Sequence, residues 1–268
     1  MHPIERLRYV ARARGADAES LVRETAGALR GLGIDPSGLV VACRRIVQRH
    51  PTCGPLWWLC ARLLTSADPM AAARAAVVEI EADRTADVLA RELPDGATVA
   101  TVGWPSVAGR AIGRRGDVRV LAVDAGGHGS GFVHHLERCE IECELVPAEA
   151  AAAAAAAADV VLVEAEAVDA SRVVATLGSA VMGAVAGVVD TPVWGVAGVG
   201  RRLPTPIVDA IVAHVDADDD FWGREAEWLP LRLVAQLVGP GGRTPAAAPS
   251  AVRAECEMAP ELLRSSPM

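Results

Sequence analysis

Lysine and asparagine are both absent from the 268 residues, so every basic side chain apart from histidine is arginine. A high-GC coding bias explains both absences, and this composition reads as bacterial. The missing lysine also excludes chemistry: there can be no Schiff-base lysine, no phosphate-loop lysine and no lysine general base. Positive charge is short overall, with a net charge of −8 and a pI near 5.3. That argues against a nucleic-acid surface, which needs clustered positive charge, and against an anionic membrane as partner. Cys43, Cys53, Cys60, Cys139, Cys143 and Cys256 include no C-x-x-C spacing, so neither a zinc ribbon nor a thioredoxin-like motif is expected. Six cysteines in a chain of this size do not make a disulfide scaffold. No uncharged apolar run reaches membrane-spanning length without breakers, and MHPIERLRYVARARG lacks an apolar signal core. The expectation is a soluble, cytoplasmic chain with reduced thiols.

What is present is apolar: 51% of the residues, enough for a sizeable core. Apolar residues at three- and four-residue spacing predict helices over 4–14, 17–32, 36–49, 54–65 and 69–93. Asp68–Pro69 starts the last of these, as N-cap and first turn. Its expected buried face is Ala73, Val77, Ile80, Thr85, Val88 and Leu89. Pro94–Asp95–Gly96 ends it. Beyond Gly96 the pattern changes. Strands are expected at 97–103, 118–124, 141–147, 160–164 and 192–198, with helices between them. The near-pure alanine run 148–158 is a thin helix in this reading, and 178–189 is a small-residue helix. PTPIVDAIVAHV and LPLRLVAQLVG read as closing helices. From Gly241 the chain is rich in Pro, Ala and Ser and is expected to be loose until PELL. Strands alternating with helices mean a parallel sheet whose strand C-termini share one ligand-facing edge.

Two features sit at that edge. The strand DVVLVEAE runs into Glu164 and Glu166, which are either functional carboxylates or solvated partners of rim arginines. The turn DAGGHGSGFVHHLERC places Gly126, Gly127, Gly129 and Gly131 at a helix start, where backbone N–H groups can approach an anion. It is not the dinucleotide fingerprint, because position 132 is Phe132. His135 and Cys139 are four apart, half of a metal site if His128 or Asp124 completed it. A surface histidine pair beside a buried cysteine is the simpler reading, and no metal is expected. Of the adjacent Trp57 and Trp58, one is expected in the core and the other at an interface. Trp104 follows the first strand, either as a pocket wall or as a cover for the sheet. No nucleophile elbow surrounds Ser106, Ser130 or Ser179.

The order DGATVATVGWPS, VLVEAEAVDASRVVATLGS, DTPVWGVAG resembles the family of initiation factor 2B alpha, beta and delta subunits. That family includes methylthioribose-1-phosphate isomerase and ribose-1,5-bisphosphate isomerase. The likeness runs from about Pro51 to Gly242, weakly to Leu263, and is most specific over 159–198. It implies a Rossmann-like, usually dimeric protein binding a phosphorylated sugar or nucleotide. In the isomerases of the family, a cysteine after the first strand and the aspartate of a G-A-D triplet carry proton transfer. Here the triplet is Glu164-Ala165-Glu166, and the cysteine's place is Gly103. The family's phosphate-side arginine falls on Asp124. Its N-K-x-G-T segment becomes Ala175-Thr176-Leu177-Gly178-Ser179, which keeps the glycine and a hydroxyl. A phosphate dianion needs compensating donors and positive charge, and glycine cannot relay a proton.

The expected architecture is α/β: a helical domain over 1–93, a Rossmann-like parallel-sheet ligand-binding domain over 94–242 and a loose tail over 243–268. The expected role is non-catalytic ligand binding or scaffolding, as a homodimer without cofactor, nucleic acid or membrane. Gly103, Trp104, Gly127, His128, Gly129, Ser130, Glu164, Gly178 and Ser179 would line the small-molecule pocket. The alternatives are an aldose–ketose isomerase, with Glu166 as base and Asp124 or His128 as acid, and a structural subunit that binds no metabolite.

Overall fold

In the computed structural model, residues 17–32, 35–217 and 223–264 are described; the predicted helix 4–14 lies outside them. Among the described residues, four helices come first: α1 (Ala18–Leu32), α2 (Pro36–Arg49), α3 (Gly54–Thr65) and α4 (Pro69–Glu81). Asp35 and Asp68 cap α2 and α4 by accepting from Gly38 N at 2.6 Å and Ala71 N at 2.9 Å. The predicted helix 69–93 is two helices, α4 and α5 (Thr85–Glu92). Asp83 lies at the break: its Oδ1 accepts from Thr85 N and Oγ1, and its Oδ2 accepts from Val199 N.

The sheet follows as β1 (Thr98–Val102), α6 (Ser106–Arg115), β2 (Arg119–Asp124), α7 (Gly129–Arg138), β3 (Cys143–Pro147), α8 (Ala151–Ala157) and β4 (Val160–Val168). Then come β5 (Arg172–Thr176), α9 (Ser179–Val188), β6 (Val193–Val196), α10 (Thr205–Asp216), β7 (Ala226–Pro230), β8 (Gln236–Gly239) and β9 (Gly242–Pro245). The order is β3-β2-β1-β4-β6-β8-β9, parallel as far as β8 and antiparallel at β9. The upper half of β4 leaves this sheet and pairs antiparallel with β5, which pairs antiparallel with β7. The parallel, helix-covered core and the helical start are as the sequence predicts.

Three expectations are corrected. LPLRLVAQLVG is no helix: it is the end of β7, a 3₁₀ turn over Leu231–Leu233 and β8. An apolar run this short fits either period, and here the open edge of β6 takes it as a strand. Trp57 and Trp58 are both buried, at 6% and 0% exposure. Trp57 Nε1 donates to the Pro51 carbonyl and Trp58 Nε1 to that of Glu255, so chain from two directions covers the pair. The segment after Gly241 carries β9, and Glu255 reaches back to Gly200 N (2.7 Å) and the Arg202 guanidinium.

The sheet has a hydrophobic cluster on each face. One gathers α8, α9, Leu231 and Val234; the other gathers α5, α6 and α7 around Phe132. A third cluster joins α1–α4 to Ala167, Val174, α10 and Leu262. The first helices therefore share their core with β4, β5 and the C-terminal segment. No helix among the described residues is long and apolar enough to cross a membrane.

Candidate functional site

Strand alternation splits the rim in two. Along β4, Ala165 is buried with Met182 and Ala186 of α9, while Glu164 and Glu166 turn to the α6 face. Glu164 is tied down there. Its Oε1 accepts from Ser106 Oγ (2.8 Å), and its Oε2 accepts from Val107 N (2.8 Å) and Ala108 N (3.0 Å). The carboxylate thus caps the N-terminus of α6, where helix dipole and free N–H groups favour negative charge. Arg201, 4% exposed, reaches the same carboxylate at 3.2 Å, donates to the Ala165 carbonyl, and lies 3.7 Å from Glu166.

Glu166 is a third exposed. Burial raises its pKa above the usual carboxylate range; Arg201 opposes this and Glu164 adds to it. Cys53, at the start of α3, is the thiol beside this group. Burial, then the charge of Glu166, pushes it up to about 12, so it stays protonated. Burial works to lower Arg201, but Glu166 and Glu164 outweigh it and the net shift is upward. The guanidinium is therefore a fixed positive charge among carboxylates. A cleft of about 20 Å³ lies alongside, lined by Asp17, Glu19, Asp83, Arg110 and Arg201 among others; it has room for about one water.

The second group lies between β1, β2 and α9. Gly103, with φ +63°, ends β1, and a Cβ there would sit 3.6 Å from Thr176 and 3.8 Å from His128. Asp124 Oδ1 accepts from Gly129 N at 2.9 Å and caps α7. A Cβ on Gly129 would be 2.8 Å from the Asp124 Cα, so the turn requires glycine. Gly127 and His128 are exposed, and Ser130 Oγ donates to the Gly127 carbonyl. Gly178, with φ +101°, packs on Val102, and Ser179 is buried at the start of α9. The residue that sequence reasoning missed here is Glu227, on β7. Its Oε1 accepts from Gly178 N and Ala180 N, both at 2.7 Å. Burial raises the pKa of Glu227, while the Ala180, Gly178 and Ser179 amides pull it back.

Trp104 belongs to neither group. It lies over α7, stacked on His135 at 5.7 Å and tilted against Phe132 at 6.1 Å, and is 53% exposed. The cysteine expected to be buried, Cys139, is exposed at the end of α7. His134 Nδ1 lies 3.4 Å from Glu137. Among the described residues, no three His, Cys, Asp or Glu side chains gather as a metal site.

Among solved structures, the translation initiation factor eIF-2B of Pyrococcus horikoshii OT3 matches over 94% of this chain and 98% of its own, at 17% identity and a TM-score of 0.73. The eIF2B beta subunit of Chaetomium thermophilum matches over 97% and 92%, at 12% identity and a TM-score of 0.74. This chain has the eIF2B-subunit fold. A further structure with that fold is the tetrameric eIF2B-beta2-delta2 complex of C. thermophilum, with 14% identity, coverage of 91% and 90%, and a TM-score of 0.71. No protein-family model and no curated protein matches the sequence. On this eIF2B fold, three helix starts at the sheet rim each hold a carboxylate of the chain itself: Glu164 at α6, Asp124 at α7 and Glu227 at α9.

The upward shift of Glu166 has a pH consequence. An acid whose folded pKa lies above its unfolded one binds more protons when folded. Stability then falls as pH rises through that window. Glu166→Gln is expected to melt above the parent at pH 8, with the difference shrinking toward zero at pH 4. Thermal denaturation across that range measures it; a difference that grows on acidification would contradict the assignment.

Proposed function

We propose that this chain is a non-catalytic, divergent member of the initiation factor 2B-related family, acting as a scaffolding and ligand-binding subunit that assembles with a second copy. The observation that carries this reading is the self-capped rim. A phosphate dianion would compete with Glu164, Asp124 and Glu227 for the amides it needs, and would meet their charge. Gly103 stands where a proton-relaying thiol would be. The carboxylate at the family's catalytic aspartate position, Glu166, lies beside a buried guanidinium. A small molecule suited to this rim is neutral or cationic, and less anionic than a bisphosphate. Assembly is drawn from the fold, which occurs in a solved tetramer.

The test is direct. Purified protein incubated with methylthioribose-1-phosphate or ribose-1,5-bisphosphate is expected to give no ketose product. Turnover that Glu166→Gln abolishes would overturn the reading. Inorganic phosphate is expected to leave the melting temperature of the parent unchanged, since only a ligand that binds the native state raises it.

A further inference from the structure

Arg201 and Arg202 are neighbours in the loop after β6, and their side chains serve different parts of the fold. Arg201 reaches the rim through Glu164, Glu166 and the Ala165 carbonyl. Arg202 reaches the segment after β9, where Glu255 Oε1 accepts from its Nε at 3.1 Å and from its Nη2. Oε2 of the same carboxylate accepts from Gly200 N at 2.7 Å and from Arg202 N at 3.3 Å. One side chain thus grips the residues immediately before and after Arg201. The backbone repeats the link: Glu255 N donates to the Arg202 carbonyl at 2.9 Å, and Val168 N of β4 donates to the Arg201 carbonyl at 2.8 Å. Strap segment, loop and strand form one hydrogen-bonded series.

Gly200 is the joint in that series. Its φ is +80°, and a Cβ there would lie 3.1 Å from the Trp58 ring and 3.2 Å from the Pro55 Cα. The loop is therefore pressed onto α3 in the turn that aims Arg201 at the rim. Glycine adopts positive and negative φ about equally well, so without the Glu255 contacts this joint can turn. The segment after β9 is tied at both ends. Ala246 and Ala251 are buried with the sheet, and Ala259 and Leu262 are buried with the first helices. Arg44 Nε also donates to the Glu261 carbonyl at 2.6 Å. Between these ties, residues 252–258 form neither helix nor strand, and Glu255 holds this middle to the loop. Irregular spans of this kind open locally at far lower cost than the whole fold.

We infer that the segment after β9 is a strap coupled to the rim: docked through Glu255 it sets Arg201 against Glu164 and Glu166, and undocked it lets the guanidinium withdraw. Glu255 is a positioning residue in this device, and it acts on the rim carboxylates through Arg201. The coupling is reciprocal. A partner that seizes the strap strips the two carboxylates of their cation. A cationic ligand that takes the carboxylates from Arg201 loosens the strap.

Two native thiols report the two ends of the coupling. Cys256 follows Glu255 on the strap, and Cys53 lies beside Glu166 at the rim. Burial pushes each up to about 12, so alkylation by iodoacetamide proceeds through opened molecules. Rates at each cysteine are read by peptide mass spectrometry on the full chain, well below its melting temperature. Glu255→Gln is expected to speed both Cys256 and Cys53 by about tenfold or more, through the loss of charge-assisted hydrogen bonds. Arg201→Met leaves every donor to Glu255 in place and is still expected to speed Cys256 severalfold. Met182→Ala, a core substitution in α9, lowers global stability and is expected to leave both rates at the parental value. If Glu255→Gln does not give the parental circular dichroism, Arg202→Gln replaces it. Cys53 unmoved by the latch variant, Cys256 unmoved by Arg201→Met, or Met182→Ala matching their effects would each overturn the inference and leave the strap a structural anchor.

Discussion

Arg201→Met is expected to lower the folding free energy by about 3–5 kcal/mol, the range for breaking a buried charge pair by removing one partner. For a chain of this size the loss lowers the melting temperature by on the order of 10 °C. The physical reason is asymmetric. Glu164 keeps its three helix-capping donors when the guanidinium goes. The Ala165 carbonyl and Glu166 do not have such replacements: Arg201 serves both. Two carboxylates separated by one residue on β4 are then left without positive charge between them. The deficit is largest at high pH and shrinks on acidification, as Glu166 takes up a proton. Arg201→Lys retains the charge but loses the fork that reaches three groups at once, so it falls in between. The double variant Arg201→Met with Glu166→Gln recovers part of the loss. Chemical denaturation at pH 5 and pH 8 measures all four proteins. A single variant within about 1 kcal/mol of the parent, the ordinary size of a surface substitution or less, would show that Arg201 does not organise the rim.

Gly54→Ala is the second large effect. A Cβ at Gly54 would lie 2.1 Å from the Glu166 carbonyl oxygen, and that obstacle is backbone of a paired strand. No side-chain rotation relieves it, so α3 must retreat from β4. The expected cost is at least about 3 kcal/mol, the upper end for overpacking. Trp57 and Trp58 follow in the same helix, so their emission should shift to the red as α3 lifts. The contrasting variant is Gly113→Ala in α6, where a Cβ meets nothing within 4 Å. It is expected to be neutral or to stabilise by up to about 1 kcal/mol through helix propensity. Equal effects from the two substitutions would refute the close approach.

These two residues mark what the sequence did and did not disclose. The alternation of helices and strands was legible because apolar runs such as Val160–Val163 are bounded by turn residues and carry few competing signals. The glycine-rich turn was legible as a helix start for the same reason. β4 runs past its expected end at Glu164 to Val168. E-A-E-A-V continues the strand with period 2, and the carboxylates mark its half-buried face rather than its last residue. The partners of those carboxylates could not be read. Arg201 lies 37 residues from Glu164, and Glu227 lies 49 from Gly178. Only the topology, with its excursion through β5 and β7, brings them together. LPLRLVAQLVG fits both helical and strand spacing, and the vacant edge of β6 decided between them. The expected pocket residues fall into two groups: Gly103, Asp124, His128 and Gly178 around the ends of β1 and β2 and the start of α9, and Glu164 and Glu166 around Arg201 and the start of α6.

The alanine helix α8 has a consequence of its own. Ala151, Ala154, Ala155 and Ala158 face inward, and the residues between them, also alanine, face solvent. Inserting one residue into a helix turns everything beyond it by about 100°, which ordinarily swaps buried for exposed side chains. Here the turned helix presents an identical surface, so a gain or loss of one alanine is nearly silent along its length. Only the junctions register the change: Pro147 before it, and Asp159 after it, whose carboxylate accepts from Thr98 N.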